Sequence, residues 1–113
     1  MKVILSDKLK KSIGEDYRHL NKKAGQYSRV FKRRINEIKS MANCGDYLRY
    51  GLGNPHLLDG DFEGHLGVNI SSNYRLIVRL CTSDYSPESL AACDKVIIEG
   101  VVDYHGKRSW IIP

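Results

Sequence analysis

Near residue 65 the spacing of apolar residues changes period, and that switch constrains the fold more than any other feature of the chain. Before it, Leu9, Ile13, Tyr17 and Leu20, and then Tyr27, Val30, Phe31, Ile35, Ile38 and Met41 or Ala42, recur at helical intervals. After it, residues alternate. Leu66, Val68 and Ile70 point one way, and His65, Gly67 and Asn69 the other. Beyond the turn residues Ser71-Ser72-Asn73, Tyr74, Leu76, Val78 and Leu80 oppose Arg75, Ile77, Arg79 and Cys81. A third apolar run from Val96 ends abruptly in Asp103-Tyr104-His105, where a buried strand is expected to meet solvent. Helices with one apolar face, followed by strands, predict a two-layer α+β domain. Helices over 7–22 and 26–42, separated by Gly25, form a hairpin on an antiparallel meander of strands 66–70, 74–81 and 95–102. A short N-terminal strand, 3–5, joins that sheet, with Ser6 or Asp7 capping the first helix. Residues 43–64, rich in Gly, read as one long loop, which is uncommon in a compact domain unless it is functional. Residues 83–94 read as a polar connection.

A length of 113 residues predicts a single domain, 1–113, with a real core and no need of disulfide staples. Three cysteines, Cys44, Cys81 and Cys93, lack metal-ligand spacing and read as reduced structural thiols, so neither a metal nor another cofactor is expected. No apolar run approaches a membrane span, and Ser6-Asp7-Lys8 interrupts the first apolar residues too early for a secretory h-region. The expected compartment is the cytoplasm, with no membrane partner. Charge is uneven: residues 1–50 hold 13 Lys/Arg against 5 Asp/Glu, and residues 51–113 hold 5 against 8. Arg29, Lys32, Arg33 and Lys39 lie largely outside the apolar stripe of the second helix, with Arg34 at its border. A basic face of this kind attracts phosphate polymers or an acidic protein; it is also what two ordinary solvated helices present.

The residues able to carry chemistry fall in the second half. Arg75 and Arg79 share one strand face and form a basic track about 13 Å long, suited to phosphate or, equally, to salt bridges with Asp or Glu. His56 lies in the Gly/Pro-rich loop, and His105 completes Asp-Tyr-His, which could also be a simple turn cluster; His19 and His65 do not stand out. Together the set suits metal-free RNA cleavage. That reaction needs a base for the 2′-OH proton, an acid for the leaving oxygen and a cation for the charged phosphorane. Tyr104 adds a ring to stack on a base or a hydroxyl to donate. No Gly-rich nucleotide loop, nucleophilic triad or metal-binding carboxylate cluster is visible.

Three segments then resemble toxins of the RelE/ParE superfamily, in its HigB-like branch. His56-Leu57-Leu58-Asp59-Gly60-Asp61-Phe62-Glu63-Gly64 is similar to that branch's His-x-Leu-x-Gly-Asp-x-x-Gly loop. Val68 to Leu76 resembles its strand–turn–strand ending in Asn-aromatic-Arg, and Val102-Asp103-Tyr104-His105 its terminal motif. The resemblance implies a RelE-like microbial RNase fold and a ribosome-dependent mRNA endonuclease, the toxin of a type II toxin–antitoxin system that inhibits translation. Its implied partners are the ribosome, mRNA and a cognate antitoxin with a helix-turn-helix, operator DNA being reached only through the antitoxin. It assigns His56, Asp103, Tyr104 and His105 to catalysis and Arg75, with Arg79 further along the strand, to RNA phosphates; the basic bias of the helical half adds Arg29, Lys32 and Arg33 as phosphate-binding candidates. The chain departs from the pattern at Asp59, where many relatives carry Lys, at Tyr74 in place of Trp, and in the extension 106–113. A gyrase poison of the ParE type and a non-catalytic RNA- or ribosome-binding domain are the competing functions; the former lacks a catalytic His pair.

Overall fold

The computed structural model describes residues 1–105 and 108–112. Its centre is the expected meander: β3 (His65–Asn69), β4 (Tyr74–Leu80) and β5 (Lys95–Asp103) pair antiparallel, Asn69 opposite Arg75 and Arg75 opposite Val102. The N-terminal strand β1 (Lys2–Leu5) joins parallel to the first half of β5, Val3 opposite Val96. Two strands were not expected. The two-residue β2 (His56–Leu57) extends the sheet beyond β3, and β6 (Ser109–Ile112) pairs with the second half of β5, Val102 opposite Trp110. Thus β1 and β6 divide one edge of β5 between them. Asp103-Tyr104-His105 therefore leads into a further strand, where the sequence suggested that the sheet ends.

The helices lie on one face and bury the predicted stripe. In α3 (Ser28–Ser40), Phe31, Ile35 and Ile38 are inaccessible and face Leu66, Val68, Leu76 and Val78 in one core. Arg34, at the stripe's border, donates through Nε to Asn69 O at 2.8 Å and pairs with Glu37 at 2.9 Å, which ties α3 to the end of β3. The first helix is not continuous over 7–22. It divides into α1 (Asp7–Ile13) and α2 (Leu20–Ala24) because the backbone turns left-handed at Gly14 (φ 75°), Asp16 (φ 55°) and Tyr17 (φ 59°). Ser6 Oγ caps α1 by accepting from Leu9 N at 3.1 Å. Leu9, Ile13 and Leu20 stay buried across the break, so the apolar spacing survives although the helix does not.

Residues 43–64 are not one loop. Asn43 Oδ1 accepts from Asp46 N at 2.8 Å and starts α4 (Cys44–Tyr50); Ser86 likewise caps α5 (Pro87–Ala92), inside the supposed polar connection. Cys44 N donates to Cys93 O at 2.8 Å, and the two buried thiols lie 2.8 Å apart, which seats α4 on the junction of α5 and β5; Cys81 is exposed. No helix among the described residues is long and apolar enough to cross a membrane.

Tyr47, wholly buried on α4, has a hydroxyl without a hydrogen-bond partner among the described residues. Burial first, then Glu37, pushes this phenol well above its ordinary value of 10.0, against a smaller lowering by Arg34. The neutral form is thus favoured in the native state, so above pH 10 the unfolded chain binds fewer protons and stability falls. We expect a melting temperature that is flat with respect to this group from pH 7 to 9. Above pH 10 stability should fall with a slope of about 1.4 kcal/mol per pH unit for each proton so withheld. Tyr47→Phe, measured by calorimetry over the same series, should flatten that alkaline limb.

Candidate functional site

Alternation leaves the sheet's second face free of helices, and there Arg75, Ile77 and Arg79 of β4 sit beside His65, Gly67 and Asn69 of β3. On β5 the register slips by one residue, so that Ile77 pairs with Gly100 and Val78 with Ile98; Glu99 is the extra residue. The segment between β2 and β3 returns over this face. Leu58 lies so close to Gly67 that a Cβ there would meet its Cδ2 at 3.0 Å. Phe62 stacks on Tyr104 with ring centroids 6.2 Å apart and meets Trp110 edge-on at 5.8 Å and His65 at 6.2 Å. Ile77 and Val102 are fully buried beneath this small apolar layer, although no α-helix among the described residues lies over it.

The assigned residues divide into those the fold assembles and those it separates. Tyr104 is the assembled centre. Its N–H donates to Asn73 O at 2.7 Å, Phe62 covers its ring, and the guanidinium groups of Arg108 and Arg75 lie 4.9 and 6.0 Å from the ring centroid. Burial raises its phenol above the ordinary value, partly offset by Arg108 and Arg75, while Asp59 adds to the rise. At neutral pH Tyr104 is therefore a protonated donor between two cations. Arg75 uses Nη1 alone to donate to Ser71 O, Ser72 O and Tyr74 O, at 2.9, 3.2 and 3.1 Å. Its remaining guanidinium N–H groups keep the geometry for an anion. Asp103 Oδ1 accepts from the backbone N–H of His105 at 2.7 Å; the carboxylate shapes the turn and does not hold the imidazole, which is exposed.

His56 does not join them. Its Nδ1 lies 2.9 Å from Asn54 O, and it pairs with Gly67, whose partner is Ile77, whose partner is Gly100. Three strand spacings across the sheet, about 14 Å, together with the run from Gly100 past the end of β5, separate the two histidine backbones. Proton relay at one phosphate needs hydrogen-bond reach or a single bridging water, so His56 and His105 are not an acid–base pair in this arrangement. Of the two readings of the Arg75–Arg79 track, Arg79 takes the salt-bridge one. Arg79 Nε stands 3.8 Å from Glu99, and His65 Nε2 reaches the same carboxylate at 4.0 Å. Arg29, Lys32 and Arg33 are exposed on α3, whose buried stripe faces the opposite side of the sheet, so they form a second basic surface. Lys32 lies over the Tyr17 ring at 5.7 Å. Among the described residues no three His, Cys, Asp or Glu side chains are grouped to hold a metal.

The sequence did not single out His65, Glu99, Phe62, Arg108 or Trp110. Only the lone tryptophan could have flagged the last.

No family model matches the chain, and no curated protein matches it. Among solved structures, the YoeB–YefM complex from Staphylococcus aureus is similar over 93% of this chain and 97% of that one, with TM-score 0.55 and 16% identity. A heterotetrameric YoeB–YefM toxin–antitoxin complex from the same organism gives 0.48 at 18% identity over 93% and 97%. A YoeB/ParE toxin from Agrobacterium tumefaciens gives 0.49 at 19% over 88% and 93%. The first of these establishes the fold: helices packed on an antiparallel-rich sheet, as in that complex. This is the α+β class expected from the change of period.

Proposed function

We propose that this chain is the toxin of a type II toxin–antitoxin system and a HigB-like, ribosome-dependent mRNA endonuclease. The observation that carries the proposal is the grouping of Arg75, Arg108 and a neutral Tyr104 beside exposed His105 on the helix-free sheet face. In the proposed reaction the RNA 2′-oxygen attacks the adjacent phosphorus and the 5′-oxygen leaves. Arg75 binds the phosphate and stabilises its extra charge, and the Tyr104 hydroxyl donates to it. His105, its turn shaped by Asp103, takes the 2′-OH proton as general base, and the departing 5′-oxygen takes its proton from solvent. His56, on the far side of the same face, contacts another nucleotide of the strand. With one histidine at the phosphate and Asp59 where relatives carry Lys, the chain relies on the ribosome to hold the RNA in line, and naked RNA is a poor substrate. Arg29, Lys32 and Arg33, on the helix side, are free to meet ribosomal RNA while the sheet face holds mRNA. A cytoplasmic antitoxin with a helix-turn-helix completes the system: a similar fold occurs in a YoeB–YefM complex, and the basic N-terminal half suits acidic segments of such a partner.

The test is a translating extract to which the purified chain is added. We expect message cut only while it is translated, and no effect on supercoiling by gyrase. Gyrase inhibition with intact message would assign the chain to the ParE-type function; neither effect would leave a binding domain.

A further inference from the structure

The proposed reaction does not use β6, yet that strand builds a feature of its own. Trp110 is 46% exposed and leans edge-on against Phe62, continuing the aromatic row that begins at Tyr104. Between Trp110 and the start of α1 opens a cleft of about 450 Å³ lined by Ser6, Lys8, Glu99 and Trp110. The Glu99 carboxylate is part-buried there, and its two neighbours, Arg79 at 3.8 Å and His65 at 4.0 Å, stand too far off to saturate its oxygens by hydrogen bonding. An indole wall, a half-buried carboxylate acceptor and an exposed lysine are the three elements that hold a nucleotide: stacking, recognition of the base edge and phosphate pairing. The cleft is also correctly placed. Trp110 pairs with Val102 and Val102 with Arg75, so its backbone lies about 10 Å, two strand spacings, from that of Arg75.

From this we infer that the cleft binds one base of the RNA flanking the cleaved bond and prefers guanine, with Trp110 stacking on the ring and Glu99 accepting from its Watson–Crick edge. Guanine alone offers two adjacent donors, N1–H and the 2-amino group, to a carboxylate. Adenine and cytosine pair their single amino donor with a ring-nitrogen acceptor, which a carboxylate repels, and uracil has one imino donor between two carbonyls. The inference rests on the RNA-cleaving function proposed above, but its test involves neither cleavage nor ribosomes.

Trp110 is the only tryptophan of the chain, so its fluorescence reports on this cleft. The full chain is titrated with the 2′-O-methyl trinucleotides UGU, UAU and UUU, which lack the attacking hydroxyl. Saturable quenching is expected, with UGU binding about tenfold tighter than UUU, as a bidentate base contact gives. Glu99→Gln, confirmed folded by circular dichroism, should keep the quenching and bring UGU and UUU within about threefold. Absence of saturable quenching, or a base preference that Glu99→Gln leaves unchanged, overturns the inference. Quenching by a chain that cuts no message in extract would retain the cleft and refute the endonuclease; cutting without quenching would do the reverse.

Discussion

Arg75→Ala is expected to lower translation-dependent cleavage by about 10²–10³-fold, the range found when a preorganised donor to a developing negative charge is removed. In the proposed reaction Arg75 is held for its task before substrate arrives. Three carbonyls of the Ser71–Tyr74 turn fix Nη1, so the guanidinium plane costs little further ordering when phosphate binds. The same bonds brace the turn between β3 and β4, and removing them should also cost about 1–3 kcal/mol of stability. The two losses are separated by measuring cleavage at a temperature where urea melts show the variant fully folded. Arg75→Lys keeps a charge but cannot brace three carbonyls and present a planar fork at once, and should recover no more than about tenfold of the loss. A folded Arg75→Ala protein that cuts within a factor of three of the parent would remove Arg75 from the phosphate site.

Phe31→Ala should cost about 3–5 kcal/mol, against a total of about 5–15 kcal/mol for a domain of ordinary stability. Phe31 is wholly buried in the first turn of α3 and meets Tyr17 edge-on at 6.4 Å. It lines a gap of about 10 Å³ shared with Ile70, Tyr74 and Ile112, so truncation enlarges an existing void between α3 and the end of the sheet at the β3–β4 turn. The change is read from the urea midpoint at unchanged slope. A loss below about 1.5 kcal/mol would mean that the helix layer collapses into the space, contrary to the close packing described.

The period-2 and helical patterns made the meander, the α3 stripe and the chemically distinct sheet face legible before any coordinates. They report which side of an element is buried, and burial is what the fold selects. Other features left weaker traces. At six and seven residues, α5 and α4 are too short to show a period, and only the caps Ser86 and Asn43 marked them. The break after α1 depends on left-handed backbone at Asp16 and Tyr17, which residue type does not foretell. The site was legible as an inventory and less so as a geometry. Asp103, Tyr104 and His105 are neighbours by sequence, and Arg75 is brought to Tyr104 by strand register. Whether His56 reaches them is decided by where β2 docks, beyond β3, and no local pattern encodes that pairing. The same holds for Glu99, which the slip in β5 aims at His65 and Arg79.

The proposed reaction breaks message on the ribosome by attack of the RNA's own 2′-hydroxyl at the sheet face around Arg75 and Tyr104. Mapping the chemistry of the cut ends tests this most directly. Message recovered from magnesium-preassembled ribosomes, after addition of EDTA-treated protein, should carry a 5′-hydroxyl on one fragment. The other fragment should end in a 2′,3′-cyclic phosphate or the 3′-phosphate derived from it. Fragments ending in a 3′-hydroxyl and a 5′-phosphate would contradict the account, because they require an outside water as the nucleophile, and neither Arg75, Tyr104 nor His105 would retain its assigned part.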